Sequence, residues 1–579
     1  MKKITYIIAL LSFICAVSSC EDEFLEKPQG SDTSVDSIFS TEKRAMEAIS
    51  QAYSYALASG ITIGRDDRDM GLDWGTLSHL SGEVNAVKYN WEEAWIIQHS
   101  GMTADKGSGN ALSEDGFNFN YLAIRQCYLV AENIDKVRDL DQPSKNRIKA
   151  EMKTLIAYRY QEMFKRYGGV PIVTQALGLE DDIKIPRATL QELLDHVTGL
   201  CDEALPILPD DYTNINKGRV TKGVALAIKA EIYMYAARPL FNTATPYMDM
   251  GANNNLICFG AVNPQLWQKA IDASNEVLAW ASQHGYGIIN TGSPLNDYGT
   301  AVATPGNKEV LLAYKDQRLG SQYTPLSESG GANSMSFGML SQYYKADGTE
   351  QIWLALDEER PYSDFNVRIQ EMEPRYKVSA MAAGIDAWNN PGSYRWSCAN
   401  VVNGSTWESR RNNEECGRRV KFWYKADSRD WFEFPIYRLA EFHLNLAEAY
   451  NEKGDDVNAR KHLNVIRNRA GLPDITETDQ DNLRKIIQRE WAVEFYEECH
   501  RLFDVKHWKH EDIGAGIIGG PKLGFVYTYT SNGHGGHISD YISYALKKRY
   551  DGYWSVNQYL SPIPRSEENK GYIIQNPGY

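Results

Sequence analysis

The chain has 579 residues, of which 43% are hydrophobic and 24% are charged, the composition of a globular protein that can bury a sizeable core. The formal net charge is −15 and no long basic run occurs, which argues against a nucleic-acid-binding protein because such proteins need a positive footprint. None of the eight cysteines stands in a CxxC pair, so a cysteine-ligated metal site is not expected.

The N-terminus has the pattern of a bacterial export signal. Two lysines precede an apolar run over residues 4–17, which is too short to span a bilayer. Small residues come directly before Cys20, as in a lipobox, where the cysteine becomes the first mature residue and carries the lipid. An ordinary signal with an incidental cysteine is the alternative. We expect a lipoprotein signal peptide over residues 1–19, lipidation at Cys20 and a tether over residues 20–40.

The region 41–285 is predicted to be mainly helical, with one irregular interruption. Apolar residues at helical spacing predict a first helix over residues 41–58. Residues 59–117 are rich in Gly, Asp, Trp and Ser without a sustained period, and such long irregular stretches are usually functional. We therefore interpret them as a ligand-loop insertion. Further helices are predicted at about 118–140, 144–167, 186–205, 221–237 and 267–281.

Residues 286–434 form a second irregular region, rich in Gly, Ser, Asn and aromatic rings, with a few strand-like runs. We interpret it as a loop-rich variable insertion, because loops carry function when a rigid scaffold positions them. Cys398 and Cys416 are the best candidates for a disulfide, although buried free thiols are favoured for all the later cysteines.

The C-terminal region 435–579 opens with the clearest helical pattern. One apolar stripe runs from Leu439 to Tyr450 and a second from Ala459 to Ala470, which predicts a helical hairpin of about 34 residues, the period of a tetratricopeptide repeat. A third, charged helix is predicted over residues 482–508, and its ionisable groups are interpreted as structural ion pairs. Residues 511–553 are rich in Gly, His and Tyr and are expected to be loop-like.

Rings in the irregular regions are the candidate ligand contacts. A sugar ring has apolar C–H faces and a polar hydroxyl rim, so an exposed Trp or Tyr beside polar side chains suits it. For any single ring, packing in a loop subcore is the competing interpretation. The candidates are Asp73, Trp74, Trp91, Trp95, Trp353, Trp388, Tyr394 and Trp396.

No catalytic residue, metal ligand or cofactor is predicted. The chain has no HExxH, GxSxG, P-loop or GxGxxG pattern. The aspartates at 66, 67, 69 and 73 make an oxygen-rich cluster, but their spacing departs from the twelve-residue calcium loop. A solvated loop is the favoured interpretation of that cluster.

Several short motifs, in their order along the chain, resemble the SusD/RagB family of Bacteroidetes nutrient-uptake lipoproteins. Each motif alone is weak evidence for the family, but their occurrence in this order along the chain makes the set strong evidence. They are Phe24-Leu25-Glu26-Lys27-Pro28, Tyr167-Gly168-Gly169-Val170-Pro171, Gly218-Arg219-Val220-Thr221-Lys222, Arg467-Asn468-Arg469-Ala470-Gly471-Leu472-Pro473, Arg501-Leu502-Phe503-Asp504 and Ser561-Pro562-Ile563-Pro564 with Gln575-Asn576-Pro577-Gly578-Tyr579.

The resemblance implies an all-α fold in which tetratricopeptide-type helical hairpins pack against a loop-rich variable half. It also implies a protein lipid-anchored in the outer membrane, facing the cell exterior, that captures glycan oligomers without cleaving them. Its partner would be a SusC-like TonB-dependent transporter. Some family members capture peptides instead, and an all-α glycoside hydrolase or a purely protein-binding adaptor are the other functions considered. The loops differ from those of the most familiar starch-binding member, so no binding residue is transferred.

Overall fold

Helices make up the larger part of the fold in the computed structural model. The structure describes residues 34–58, 76–85, 93–105, 116–178, 180–316, 334–382, 400–403, 406–409, 416–425, 431–529 and 541–579. The predicted signal peptide and Cys20 lie outside these residues, as does Cys398, while Cys416 is buried. Within the described residues, no helix has both the length and the apolar character needed to cross a bilayer.

The helices are labelled in chain order. They are α1 (Val35–Ile38), α2 (Glu42–Ala58), α3 (Thr76–Leu80), α4 (Glu93–Ser100), α5 (Phe117–Asn133), α6 (Gln142–Tyr167), α7 (Leu190–Ala204), α8 (Lys222–Ala237), α9 (Gln265–Gln283), α10 (Pro294–Ala303), α11 (Phe337–Leu340), α12 (Tyr362–Glu371), α13 (Pro374–Ser379), α14 (Leu439–Glu452), α15 (Asp456–Arg469), α16 (Gln480–Glu494), α17 (Arg501–His507) and α18 (Arg565–Glu568).

The strands of the described residues form three antiparallel sheets. The orders are β1-β3-β8-β5, β4-β11-β10-β7-β6 and β2-β9. The strands are β1 (Val84–Asn85), β2 (Val310–Asp316), β3 (Ser334–Met335), β4 (Glu359–Pro361), β5 (Ala380–Met381), β6 (Asn400–Asn403), β7 (Thr406–Ser409), β8 (Arg418–Arg419), β9 (Phe432–Arg438), β10 (Gly520–Tyr529) and β11 (Tyr541–Gly552).

Helix α6 is the central helix of the larger core. Asp141 caps its N-terminus by accepting a hydrogen bond from the Ser144 N–H, and Gly168, at φ +77°, ends it. Its residues are buried almost without interruption from Ile148 to Tyr167. The next helix, α7, begins with a reciprocal capping box between Thr189 and Glu192. The sequence prediction of helices in these two segments is confirmed.

A second core lies under the β10–β11 hairpin. It joins rings of that hairpin to helix α12 and to the C-terminal end of α16, through residues such as Phe365, Tyr496, Phe525 and Tyr544. The prediction that residues 511–553 are loop-like is wrong, because β10 and β11 pair over most of this stretch, with Phe525 opposite Leu546. The Gly and His content suggested loops, whereas the aromatic residues of both strands bury themselves against the insertion.

The predicted third helix over residues 482–508 is also corrected, since it is two helices. Helix α16 ends at Glu494 and α17 begins at Arg501. Between them Glu497 and Cys499 adopt positive φ angles of 59° and 66°, a backbone conformation that residues with a side chain rarely take. The break directs the carboxylates of Glu497 and Glu498 to cations elsewhere in the chain. Long-range ion pairs therefore override the local helical pattern.

Helices α14 and α15 pack together as a hairpin and bury a pair of histidines between them. The Nδ1 atoms of His443 and His462 are 3.2 Å apart. Burial, and then the neighbouring His462 and Lys461, lower the pKa of His443 to about 3. Burial, and then Lys461, lower the pKa of His462 to about 4. The pair is neutral at physiological pH.

We expect this pair to make the protein acid-sensitive between about pH 6.5 and 4. In that window the unfolded chain binds protons at histidines that the folded chain keeps neutral, so stability falls as pH falls, by about 1.4 kcal/mol per pH unit for each histidine. The variant His443→Leu is expected to flatten this slope by about one proton equivalent. Urea unfolding at pH 7.5, 6 and 5 measures the slope, and His462→Leu is the matched variant. An unchanged slope in both variants would contradict the assignment.

Candidate functional site

Most of the predicted ligand contacts lie outside the described residues. These are Asp73, Trp74, Trp91, Trp388, Tyr394 and Trp396. Trp95 lies on helix α4. They stay predictions.

Trp353 is the predicted ring whose surroundings the structure describes. It is half-buried at the edge of the second core, with its ring centroid 6.4 Å from that of Phe337 and 5.7 Å from that of Phe525. The neighbouring Ile352 is 76% exposed. Trp353 therefore lies at the edge of an aromatic cluster, and its ring packs against Phe337 and Phe525.

A buried ion cluster joins the loop-rich insertion to the C-terminal helices. Glu494 of α16 accepts from Arg375 at 3.1 Å, from Arg438 at 2.5 Å and from Arg469. Among the described residues the cluster holds five carboxylates and five cations, so it is formally neutral. Its members are Glu309, Glu373, Glu490, Glu494 and Glu498 with Arg375, Lys421, Arg438, Arg467 and Arg469.

The electrostatics of this cluster favour a structural role. Burial raises the pKa of the Glu494 carboxyl, but Arg469, Arg438 and Arg375 more than offset this and hold the pKa well below its ordinary value. A carboxylate with three cationic partners is a poor general base. The interpretation as ion-pairing residues is confirmed for Glu490, Glu494 and Asp504, whose partners lie on other elements and not on the same helix. Arg501 forms no ion pair among the described residues.

The first of two adjoining cavities, the Trp267 cavity, opens between helices α9, α14 and α16. It has a volume of about 340 Å³ and is lined by Trp267, Glu452, Arg484, Gln488 and Trp508. Its wall is held in place by bonds, since Glu448 accepts from the Trp508 Nε1 at 2.8 Å and Glu452 accepts from Arg484 at 3.1 Å. An aromatic ring beside paired polar groups suits a polar ligand with apolar faces.

The second, the Arg501 cavity, lies on the other side of Gln488 and Trp508, which line both. It has a volume of about 410 Å³, within the size range of small-molecule sites. Arg501, Gln342 and His510 line it as well. Its outer wall includes Lys485 and Glu511, whose side chains are 67% and 70% exposed and 3.4 Å apart.

Sequence reasoning missed both cavities. It treated Arg501 as one of the ion-pairing residues of a single helix and did not nominate Trp267 or Trp508. Gln342, in the insertion, and Arg501 meet only through the tertiary fold. The available signal was the run from Trp508 to Asp512, where a ring and four ionisable residues precede a Gly-rich turn.

Two family models match the chain. The one described as "SusD family" matches residues 267–579, and the one described as "Starch-binding associating with outer membrane" matches residues 24–234. Together they extend over most of the chain, and residues 235–266 lie between the two matches.

Individual proteins show the same similarity. "SusD-like protein P25" of Formosa agariphila is 22% identical over 529 residues, which cover 87% of this chain and 90% of that protein. The solved structure of a SusD-like protein from Bacteroides fragilis superposes with a TM-score of 0.72 at 23% identity, covering 94% of this chain and 98% of that one. A structure titled "Laminarin binding SusD-like protein" gives a TM-score of 0.56 at 17% identity, covering 93% and 100%.

Proposed function

Because the chain belongs to the SusD family, we propose that it is a non-catalytic, glycan-binding lipoprotein of the outer membrane. In this proposal it is anchored through Cys20, faces the cell exterior, captures oligosaccharides and delivers them to a SusC-like TonB-dependent transporter. The observation that carries the proposal is the match of two family models, one of them described as starch-binding and associated with the outer membrane, over residues 24–234 and 267–579.

The arrangement of the chain supports capture without chemistry. Helical hairpins such as α8–α9 and α14–α15 supply a rigid scaffold, and we interpret them as tetratricopeptide-type units. Trp353 lies in the insertion between helices α11 and α12, where a rigid scaffold can hold a binding loop. Trp353 already rests on Phe337 and Phe525, so a sugar that stacks on its free side does not have to order the ring first.

Loss of rings is expected to weaken glycan binding. We expect alanine at two or more of the eight candidate positions to lower affinity about tenfold each, since stacking is worth about 1 kcal/mol beyond area burial. Calorimetry or affinity gels with a panel of plant and host polysaccharides measure this. Trp431, which lies directly before β9, is 41% exposed and is not among the candidates, provides the matched control Trp431→Ala. Unchanged affinity in all eight variants would refute this set of contacts.

Two further measurements separate the proposal from its alternatives. Incubation with the bound polysaccharide is expected to release no new reducing ends, whereas a glycoside hydrolase would release them. Purification from the native membrane is expected to bring the transporter with it. Co-purification without any glycan binding would instead favour a protein-binding adaptor.

A further inference from the structure

The Arg501 cavity contains a guanidinium that has no ion pair and no hydrogen bond within the described residues. The Nε of Arg501 is buried without an acceptor. By contrast, Arg238, Arg375 and Arg438 each have at least two carboxylate partners. A half-buried guanidinium without acceptors is costly, so the cavity is preorganised for an acceptor that arrives with a ligand.

A second cation stands behind the cavity wall. Lys522 is buried and its Nζ donates to the carbonyl oxygens of Gly516, at 3.0 Å, and Ile517, at 2.5 Å, two residues that line the cavity. No carboxylate of the described residues lies within ion-pair distance of it. Burial, and then Arg501, lower the pKa of Lys522 to about 7. Lys522 is therefore only partly charged near neutral pH, and Arg501 supplies most of the positive potential that favours a negative group in the cavity.

The carboxylates near the cavity oppose this potential only in part. Glu511 is paired with Lys485, and Glu83 is buried, with burial the main cause that raises its pKa to about 7. Asp512 lines the cavity without an ion pair among the described residues. Asp504, which is paired with Arg238, and Glu83 also interact with Arg501 electrostatically, so they and Asp512 weaken the attraction for an anion without cancelling it.

The rest of the lining suits a sugar ring. Trp508 presents an aromatic surface while its Nε1 is held by Glu448, and Gln342 and Gln488 add amide donors and acceptors. A pyranose carries apolar C–H faces for the ring and hydroxyl groups for the amides. A carboxylate or sulfate on the same sugar supplies the acceptors that Arg501 lacks, because a guanidinium pairs with planar oxyanions in two parallel hydrogen bonds.

We propose that the Arg501 cavity binds an oxyanion-bearing sugar, either a hexuronate or a sulfated hexose, with Arg501 as the charge partner and Trp508 as the ring support. This ligand class rests on the proposed glycan-binding function. None of the described lining residues is among the eight predicted ligand contacts, so the selection of acidic glycans is proposed in addition to any binding at those contacts.

The test is calorimetry of the purified protein with glucuronate, galacturonate, galactose 6-sulfate, galactose and inorganic sulfate. We expect at least one acidic sugar to bind about tenfold or more tightly than galactose, since a hydrogen bond to a charged group contributes about 1.5–3 kcal/mol. The relative affinities of uronates and the sulfate ester identify the oxyanion. Inorganic sulfate binding as tightly as the best acidic sugar would overturn the role of the sugar ring.

Variants locate the binding in the cavity. Arg501→Gln is expected to remove the preference for acidic sugars, while Arg484→Gln, which removes a cation from the neighbouring Trp267 cavity, leaves it intact. Asp512→Asn is expected to tighten acidic-sugar binding about two- to threefold, because removal of one nearby like charge is worth about 0.5 kcal/mol. A misfolded variant cannot mimic that gain, so it tests the site even if Arg501→Gln does not fold.

The outcomes distinguish this inference from the proposed function. If the protein binds a neutral polysaccharide but no acidic sugar above galactose, the cavity assignment is wrong and the glycan-binding function stands. If acidic sugars bind equally well in the wild type and in both the Arg501 and Asp512 variants, the site lies elsewhere. If no glycan of either kind binds, both proposals fail.

Discussion

Replacement of Glu494 by alanine is expected to destabilise the protein by about 3–5 kcal/mol, which is the usual cost of removing one partner from a buried ion pair. The carboxylate accepts from Arg375, Arg438 and Arg469, and all four side chains are at most 1% exposed. Without it, three guanidinium groups keep fewer acceptors in a site that excludes water. Such a loss is a large part of a typical folding free energy of about 5–15 kcal/mol.

Urea unfolding followed by circular dichroism measures this effect. Glu452→Ala is the matched control, because it removes a carboxylate from a partly exposed pair with Arg484 and is expected to cost no more than about 1 kcal/mol. Glu494→Gln, which keeps the shape but not the charge, is expected to fall nearer to the alanine variant than to the wild type. A loss of less than 1 kcal/mol for Glu494→Ala would contradict the role assigned to the cluster.

Replacement of Cys20 by alanine is expected to release the protein from the membrane. The proposed anchor consists of acyl chains on this cysteine, and each buried methylene contributes about 0.8 kcal/mol, so the loss of several chains removes nearly all affinity for the bilayer. The described residues contain no helix able to span a membrane. Fractionation and labelling with a radioactive fatty acid measure the change.

Cys15, inside the apolar run of the predicted signal peptide, provides the control Cys15→Ala. That variant is expected to be acylated and membrane-bound, because the residue is removed with the signal. Acylation of the Cys20→Ala variant, or its retention in the membrane fraction, would show that the lipobox interpretation is wrong.

The predictions from sequence succeeded where structure is set by neighbours in the chain. Helix α6 has its cap at Asp141 and its stop at Gly168, and α7 has its capping box at Thr189 and Glu192, all within a few residues of one another. The break after Glu494 could not be predicted in this way, because its cause lies in cations at Arg419 and Lys421, more than 70 residues earlier. Strand pairing could not be predicted for the same reason, because β11 also pairs with β4, which lies far from it in the sequence.

The same limit applies to the candidate sites. The composition of the irregular regions identifies aromatic residues as candidate ligand contacts. Whether such a ring is held in place depends on residues distant in the sequence, as Trp353 is packed against Phe525. Arg501 looked like another member of a charged helix. Only the fold separates it from Glu490 and Glu494 of α16, which find cationic partners.

The ion cluster around Glu494 attaches the loop-rich insertion to the C-terminal helices at a small number of positions. Ionic contacts have fixed directions and depend on a few positions, so Glu309, Glu373, Arg375 and Lys421 add directed attachments for the insertion to the apolar contacts of the second core. The segments between these ion-paired residues can then change in length and chemistry while the insertion stays attached. A related chain that keeps these ion pairs can carry different loops on the same helical scaffold.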